Sequence, residues 1–193
     1  MNMDYRSPLV CAVLPLAIGL VIFATWIATG WDWLIVAGIW TIYAGLVLVS
    51  VGMLVLTRAW WLARKAKEPL GLSAFICAAL LLINFPVAAG LAFAAERIET
   101  AYTVVITNSS TEMLRQVRVS GGGCAESFGS IEPGEEAERT FWIQSEGVLE
   151  FFADGPTGTY QGDIEGYVTS GFGGRAVVSV NRDGTLTVSH EGT

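Results

Sequence analysis

Three stretches without a formal charge follow one another in the first half of this chain. Ser7 to Trp31 and Trp33 to Thr57 each run for 25 residues, and Pro69 to Ala95 runs for 27. The hydrocarbon core of a bilayer is crossed by about 20 mainly apolar helical residues. A single apolar segment satisfies its backbone polar groups in lipid only as a helix. The sequence therefore predicts a membrane protein with three transmembrane α-helices, at about 8–29, 33–57 and 70–95, within a helical domain of residues 1–97. The first apolar stretch exceeds the usual h-region of a signal peptide, and Ala28-Thr29-Gly30 is a weak cleavage site, so it reads as an uncleaved helix.

Orientation follows from the connections. Arg58 to Glu68 holds Arg58, Arg64, Lys65 and Lys67, whereas the turn around Gly30-Trp31-Asp32 holds no base. Basic connections stay cytoplasmic, and indole rings favour the headgroup level. The expected arrangement has the N-terminus and the basic connection inside. Trp26, Trp31 and Trp33 then mark the outer boundary, and Trp60 and Trp61 the inner one. The third helix would carry residues 98–193 outward, to the periplasmic or extracellular side of a bacterial-type inner membrane.

Within the helices two features suggest close packing. Gly38, Gly45 and Gly52 recur every seven residues, which keeps them near one helix face. Small residues let backbones approach in lipid. The face suits either packing within the chain, the favoured reading, or an oligomer seam. In the third helix Asn84 and Pro86 lie near the middle of the span. Pro86 lacks an N–H and crowds the carbonyl of Leu82, so a kink is expected. Asn84 needs a hydrogen-bond partner on a neighbouring helix or on the backbone that Pro86 frees. No Asp, Glu, Lys, Arg or His falls inside the three uncharged stretches, which argues against an ion-coupled transport path.

The second half changes character. Residues 1–100 hold six basic and five acidic residues, whereas residues 101–193 hold five basic and thirteen acidic ones. The acidic half is a poor partner for nucleic acid, whose phosphates demand Lys and Arg. Short alternating runs predict strands at 102–107, 114–120, 128–131, 139–143, 148–153, 164–169, 176–181 and 185–189. In the second of these, Leu114, Gln116 and Arg118 are expected on one face, with Val117 and Val119 on the other. Asn108-Ser109-Ser110, Gly121-Gly122-Gly123, Pro133-Gly134, Asp154-Gly155-Pro156, Gly171 to Gly174 and Asp183-Gly184 supply turns. Asp183-Gly184 between two alternating runs is the strongest hairpin signal. Together these predict an extracytoplasmic all-β sandwich.

The run Val105-Ile106-Thr107-Asn108-Ser109, then Leu114, Val117 and Val119, then Gly129-Ser130-Ile131-Glu132-Pro133-Gly134-Glu135, resembles the opening half of bacterial exported Ig-like modules of the cell-adhesion-related kind. The resemblance covers about residues 103–143 and implies an Ig-like sandwich used as a spacer or interaction module. It transfers no catalytic residues.

Chemical motifs are weak throughout. The glycine runs lack the Lys-Ser/Thr of a phosphate loop and read as tight turns. His190, the sole histidine, stands near the end of the sequence and is expected to carry neither catalysis nor a metal. Asp154, Asp163 and Glu165, and Glu132, Glu135, Glu136 and Glu138, lack EF-hand spacing and read as a solvated face. Cys11 and Cys77 lie in helices, and Cys124 is expected to be a buried free thiol. Asn108-Ser109-Ser110 also fits a glycosylation sequon.

Phe141-Trp142 and Phe151-Phe152 are adjacent pairs, so one ring of each must point away from a sandwich core. These four form the candidate interaction face. The expectation is a non-enzymatic membrane protein without cofactor or metal. It would contact membrane lipid and display the sandwich to an envelope protein or to a second copy. The alternative is an accessory subunit of a larger transporter or secretion complex, docked through its helices at the glycine face and the Asn84-Pro86 break.

Overall fold

The computed structural model describes residues 6–67, 72–156 and 158–191. The chain divides into two compact units, Met1–Ala95 and Glu96–Thr193.

The first unit is helical. Helix α1 spans Arg6–Thr29, α2 Trp33–Ala66 and α3 Leu72–Glu99. The expected start of the third helix at residue 70, and Glu68 and Pro69 before it, lie outside the described residues. Each helix is long and apolar enough to cross a membrane. Gly30 ends α1 at φ +65°, and its N–H donates to the Trp26 carbonyl at 2.8 Å. This left-handed cap suits glycine because no Cβ opposes it.

The basic connection after residue 57 is not a loop. Helix α2 continues to Ala66 and is closed by Lys67, at φ +53°, whose N–H bonds the Ala63 and Arg64 carbonyls. Arg, Lys, Ala and Leu are all good helix formers, so charge ends the apolar stretch here without ending the helix. Trp60 and Trp61 are capped by Arg64 and Lys65, whose cations lie 5.3 and 3.5 Å from the ring centres.

The second unit holds two four-stranded sheets. Its strands are β1 (Ala101–Asn108), β2 (Leu114–Gly121), β3 (Cys124–Ile131), β4 (Glu136–Trp142), β5 (Gly147–Gly155), β6 (Gly158–Val168), β7 (Gly174–Val180) and β8 (Leu186–Glu191). One sheet has the order β4-β1-β7-β8 and the other β3-β2-β5-β6. Neighbours are antiparallel except β1 and β7, which run parallel. The expected Asp183-Gly184 hairpin joins β7 to β8. Constant-type Ig domains keep their first two strands in one sheet. Here β1 and β2 lie in different sheets, so the arrangement departs from that pattern.

Both sheets share one core. Val104, Ile106, Ala176, Val178 and Val180 enter it from one sheet, and Leu114, Val117, Val119, Leu149, Phe151 and Val168 from the other. The expected alternation of β2 fails at one point. Leu114 and Val117 are both buried, although an odd spacing should place them on opposite faces. A bulge lies between them, with Gln116 at φ +50°. An extra residue in one strand resets which face the following side chains occupy, so Leu114 joins Val117 and Val119 inside.

Candidate functional site

The glycine face of α2 is occupied from within the chain. A Cβ added at Gly45 would lie 3.2 Å from Pro15 Cβ in α1. At Gly52 it would lie 2.9 Å from Leu81 Cδ2 of α3 and 3.2 Å from Cys11 Cβ. Gly38 is looser, with Ile22 Cγ2 at 3.9 Å. Ala12, Val49 and Leu81 form the small buried cluster beside this seam. Asn84 donates both amide hydrogens, to the Ala12 carbonyl of α1 and the Leu80 carbonyl of its own helix, each at 2.9 Å. Helix α3 runs on through Pro86, which is exposed.

The outward sides of the helices are apolar and self-satisfied. Val36, Trp40, Tyr43, Val47 and Leu54 of α2 are all exposed. Thr25, Thr29, Thr41, Ser50 and Thr57 each return the hydroxyl to the carbonyl four residues earlier, at 2.7–2.9 Å. Such bonds remove the need for water around a buried or lipid-facing hydroxyl.

In the sandwich the two aromatic pairs split by face. Phe141 and Phe151 are buried in the core and so cannot form an outer face. Trp142 and Phe152 point away from it. The Trp142 indole N–H donates to the Arg97 carbonyl at 3.0 Å, and the Arg97 guanidinium lies 5.2 Å from its ring centre. Phe152 is covered by Arg118 at 4.2 Å. Of the four candidate residues, Trp142 alone keeps a large exposed surface.

One polar cluster bridges the two sheets. The Tyr102 hydroxyl of β1 donates to Glu165 Oε1 of β6 at 2.7 Å, and the same oxygen lies 3.0 Å from His190 Nδ1 of β8. Burial, then the hydrogen bond and charge of Glu165, raise the Tyr102 phenol well above its ordinary value. Its ring is stacked on Phe172, with centres 5.8 Å apart, and tilted against Phe141 at 6.0 Å. Tyr102 and Glu165 are far apart in sequence, so no local motif announces the cluster. Chemically it is a neutral phenol held on a carboxylate, and the phenol is enclosed rather than open to a substrate.

Asn108 was legible only as a turn residue, yet it is fully buried. Its amide donates to the Glu112 carbonyl at 2.8 Å and the Ile131 carbonyl at 2.9 Å. Its Oδ1 accepts from the Ser110 N–H at 3.1 Å and hydroxyl at 2.6 Å. An amide nitrogen with both hydrogens spent inside the fold is not available as a glycan acceptor.

The remaining candidates are structural. Gly122 and Gly123 adopt φ +55° and +77°, and Gly122 O accepts the N–H groups of Gln144 and Ser145, both at 2.9 Å. Positive φ at both central residues is what a type I′ hairpin turn requires. Glu132, Glu135, Glu136 and Glu138 are exposed, and Glu138 pairs with Arg175 at 3.4 Å. Among the described residues no group of three or more His, Cys, Asp and Glu is placed to hold a metal ion. Cys124 is a free, half-buried thiol that donates to the Gly121 carbonyl at 2.9 Å. Burial, then the Glu126 charge, push its ionisation upward.

No family model matches the chain, and no curated protein matches it. A solved structure described as the NMR structure of the protein from Eubacterium rectale is 8% identical, with a TM-score of 0.36. The similarity covers 49% of this chain and 92% of that one, and a likeness at that level carries no argument about fold or function.

Proposed function

We propose that this is an integral membrane protein whose three helices anchor an acidic β-sandwich on the outer face of a bacterial-type inner membrane. The sandwich serves as a binding or scaffold module for another envelope protein. The N-terminus and the basic end of α2 lie on the cytoplasmic side, as the positive charges there require. The observation that carries this reading is the pairing of two opposite surfaces in one chain. The helices expose large apolar side chains along their length, and the strand unit exposes charge around a filled core. A surface of the first kind needs lipid or protein around it, and one of the second kind is compatible with water.

The accessory-subunit reading draws on the glycine face and the Asn84-Pro86 break. The glycines and Asn84 are engaged inside the chain, at Pro15, Cys11 and Leu81 and at the Ala12 carbonyl, while Pro86 is exposed, so the glycine face and Asn84 support anchoring ahead of docking.

Crosslinking the full chain in its native membrane, followed by mass spectrometry of the linked peptides, tests the proposal. A reproducible protein partner linked through residues 101–193 is expected. Links confined to α1–α3 would replace the proposal with the accessory-subunit reading. Links only between copies of this chain would replace the envelope partner with self-association.

A further inference from the structure

The strand registers sort the sandwich into two chemically different ends. At one end β1 begins, with Ala101 opposite Trp142 and Tyr102 beside Gly174. β5 starts at the same end, with Gly147 opposite Val168. The bonds from Gln144 and Ser145 to Gly122 O bring the β2–β3 turn to it as well. This is also the end at which the chain arrives from α3. At the far end Asn108 ties the close of β1 to Ile131, Thr107 faces Glu136, and β5 turns into β6 at Gly155.

The far end carries Glu112, Glu132, Glu135, Glu136, Asp154 and Asp183, against Arg115 and Arg182. The entry end carries Arg97 and Arg175 against Glu96, Glu99, Glu146 and Glu191, the last opposite Arg175, so it is less acidic than the far end. It also exposes a rim of large apolar side chains: Ile98 at 51%, Trp142 at 42%, Tyr167 at 61% and Phe172 at 36%. Trp and Tyr combine an apolar ring with a polar handle, the combination that favours the headgroup level of a bilayer.

Ile98 lies in the same helix as the third uncharged stretch and only three residues past its last member, Ala95. At 1.5 Å per residue that is about 5 Å of helix. Trp142 is bonded to the residue before Ile98, and the Phe172 ring rests on Tyr102.

We propose that this entry end is a lipid-binding foot. Trp142, Tyr167, Phe172 and Ile98 seat in the phospholipid interface of the outer leaflet, and the acidic end is held away from the membrane. The position of the rim, continuous with the span, argues for lipid as its occupant. So does its smaller acidic excess, since anionic headgroups would repel the more acidic far end more strongly. The foot rests on the reading that α1–α3 cross a bilayer.

The test uses the full chain reconstituted in phosphatidylcholine vesicles, with and without lipid brominated close to the glycerol backbone. Trp142 is read as the difference between wild type and Trp142→Phe. A second reading comes from Tyr167→Trp, which adds an indole at an exposed position and does not depend on removing a packed one. The expected result is loss of both signals with brominated lipid and little loss with aqueous iodide. Vesicle-bound, carbonate-resistant protein whose two signals are lost to iodide and ignore the brominated lipid would overturn the foot and leave the spanning reading intact. Protein that fails to float with the vesicles would overturn the spanning reading, and the foot with it.

Discussion

The helical unit and the strand unit place their large apolar side chains on opposite sides of the fold. In the sandwich the bulky residues are inside: Leu114, Val117, Leu149, Phe151 and Ile106 are all essentially inaccessible. In the helical unit many bulky residues are outside, Trp40, Val47 and Leu54 among them, and the close contact between helices is made at Gly45, Gly52, Ala12 and Pro15, with Val49 and Leu81 buried beside them. Water drives the first arrangement, because burying apolar surface is favourable there. In lipid, the surroundings proposed for the helices, there is no such reward, and helices associate there through close backbone approach and a few polar bonds. The same residue type should thus matter in one unit and not in the other.

Leu149 and Leu54 make the sharpest form of that contrast. Leu149→Ala opens a cavity in a filled core and should cost about 3 kcal/mol. Leu54→Ala, on an outward face of α2, should change stability by no more than about 0.5 kcal/mol. Pulse proteolysis of the detergent-solubilised full chain across a urea series reads both. Equal losses would break the comparison. Asn108→Ala belongs with the first. It strands the Glu112 and Ile131 carbonyls and the Ser110 hydroxyl, and should cost about 2–3 kcal/mol by the penalty for unpaired buried groups. Asn108→Asp keeps the acceptor for Ser110 but turns a carboxylate oxygen toward the Glu112 and Ile131 carbonyls in a buried site, so it should recover none of that loss at neutral pH.

What the sequence disclosed follows the same divide. The three long apolar helices are legible because absence of charge over 25 residues is a local property. The eight strands are legible for the same reason, since alternation and turn residues sit side by side. Where α2 ends is not announced by charge, because Arg58, Arg64 and Lys65 extend a helix as readily as they end an apolar run. Sheet order is non-local: nothing near β1 says that it lies between β4 and β7. The bulge at Gln116 inverts one face assignment that alternation alone would make. The Tyr102–Glu165–His190 cluster assembles from three strands of two sheets, and Asn108 looks like any turn residue until its burial is known. In the helical unit the Gly45 and Gly52 spacing and Asn84 are legible as packing candidates, but the spacing alone leaves open whether the partner lies in the same chain or a second copy.

Gly52→Leu probes the close approach directly. Even a Cβ there meets Leu81 and Cys11, so a full side chain should cost about 2 kcal/mol by overpacking. Gly38→Ala, with its nearest neighbour 3.9 Å away, should be tolerated. Steric trapping or SDS titration of the reconstituted chain measures the pair, and an equal effect of the two would remove the graded seam.

Tyr102 gives the sandwich a pH dependence. Its phenol is raised in the folded state, so the fold keeps the proton after the unfolded chain, with a tyrosine near 10, has lost it. The associated stability is complete below about pH 10 and declines above it, at about 1.4 kcal/mol per pH unit. Tyr102→Phe should lack this part of the alkaline slope. Urea midpoints of the two chains between neutral and strongly alkaline pH read the difference, and parallel curves would show that the phenol titrates freely in the fold.

The smallest expected effect is the most telling for the helical unit. Asn84→Leu removes the bonds to the Ala12 and Leu80 carbonyls, and such bonds between membrane helices average about 0.6 kcal/mol. The Leu80 carbonyl is already within its own helix ladder, so the loss should fall on the link between α3 and α1. If that link is the polar tie of α3 to the α1–α2 pair, Asn84→Leu combined with Leu81→Ala should cost more than the two changes alone, because both side chains bridge the same neighbours. A double-mutant cycle in the reconstituted chain measures this. Strict additivity would mean that Leu81 and Asn84 act as independent contacts, and that α3 is held by surface contact rather than by one cooperative notch.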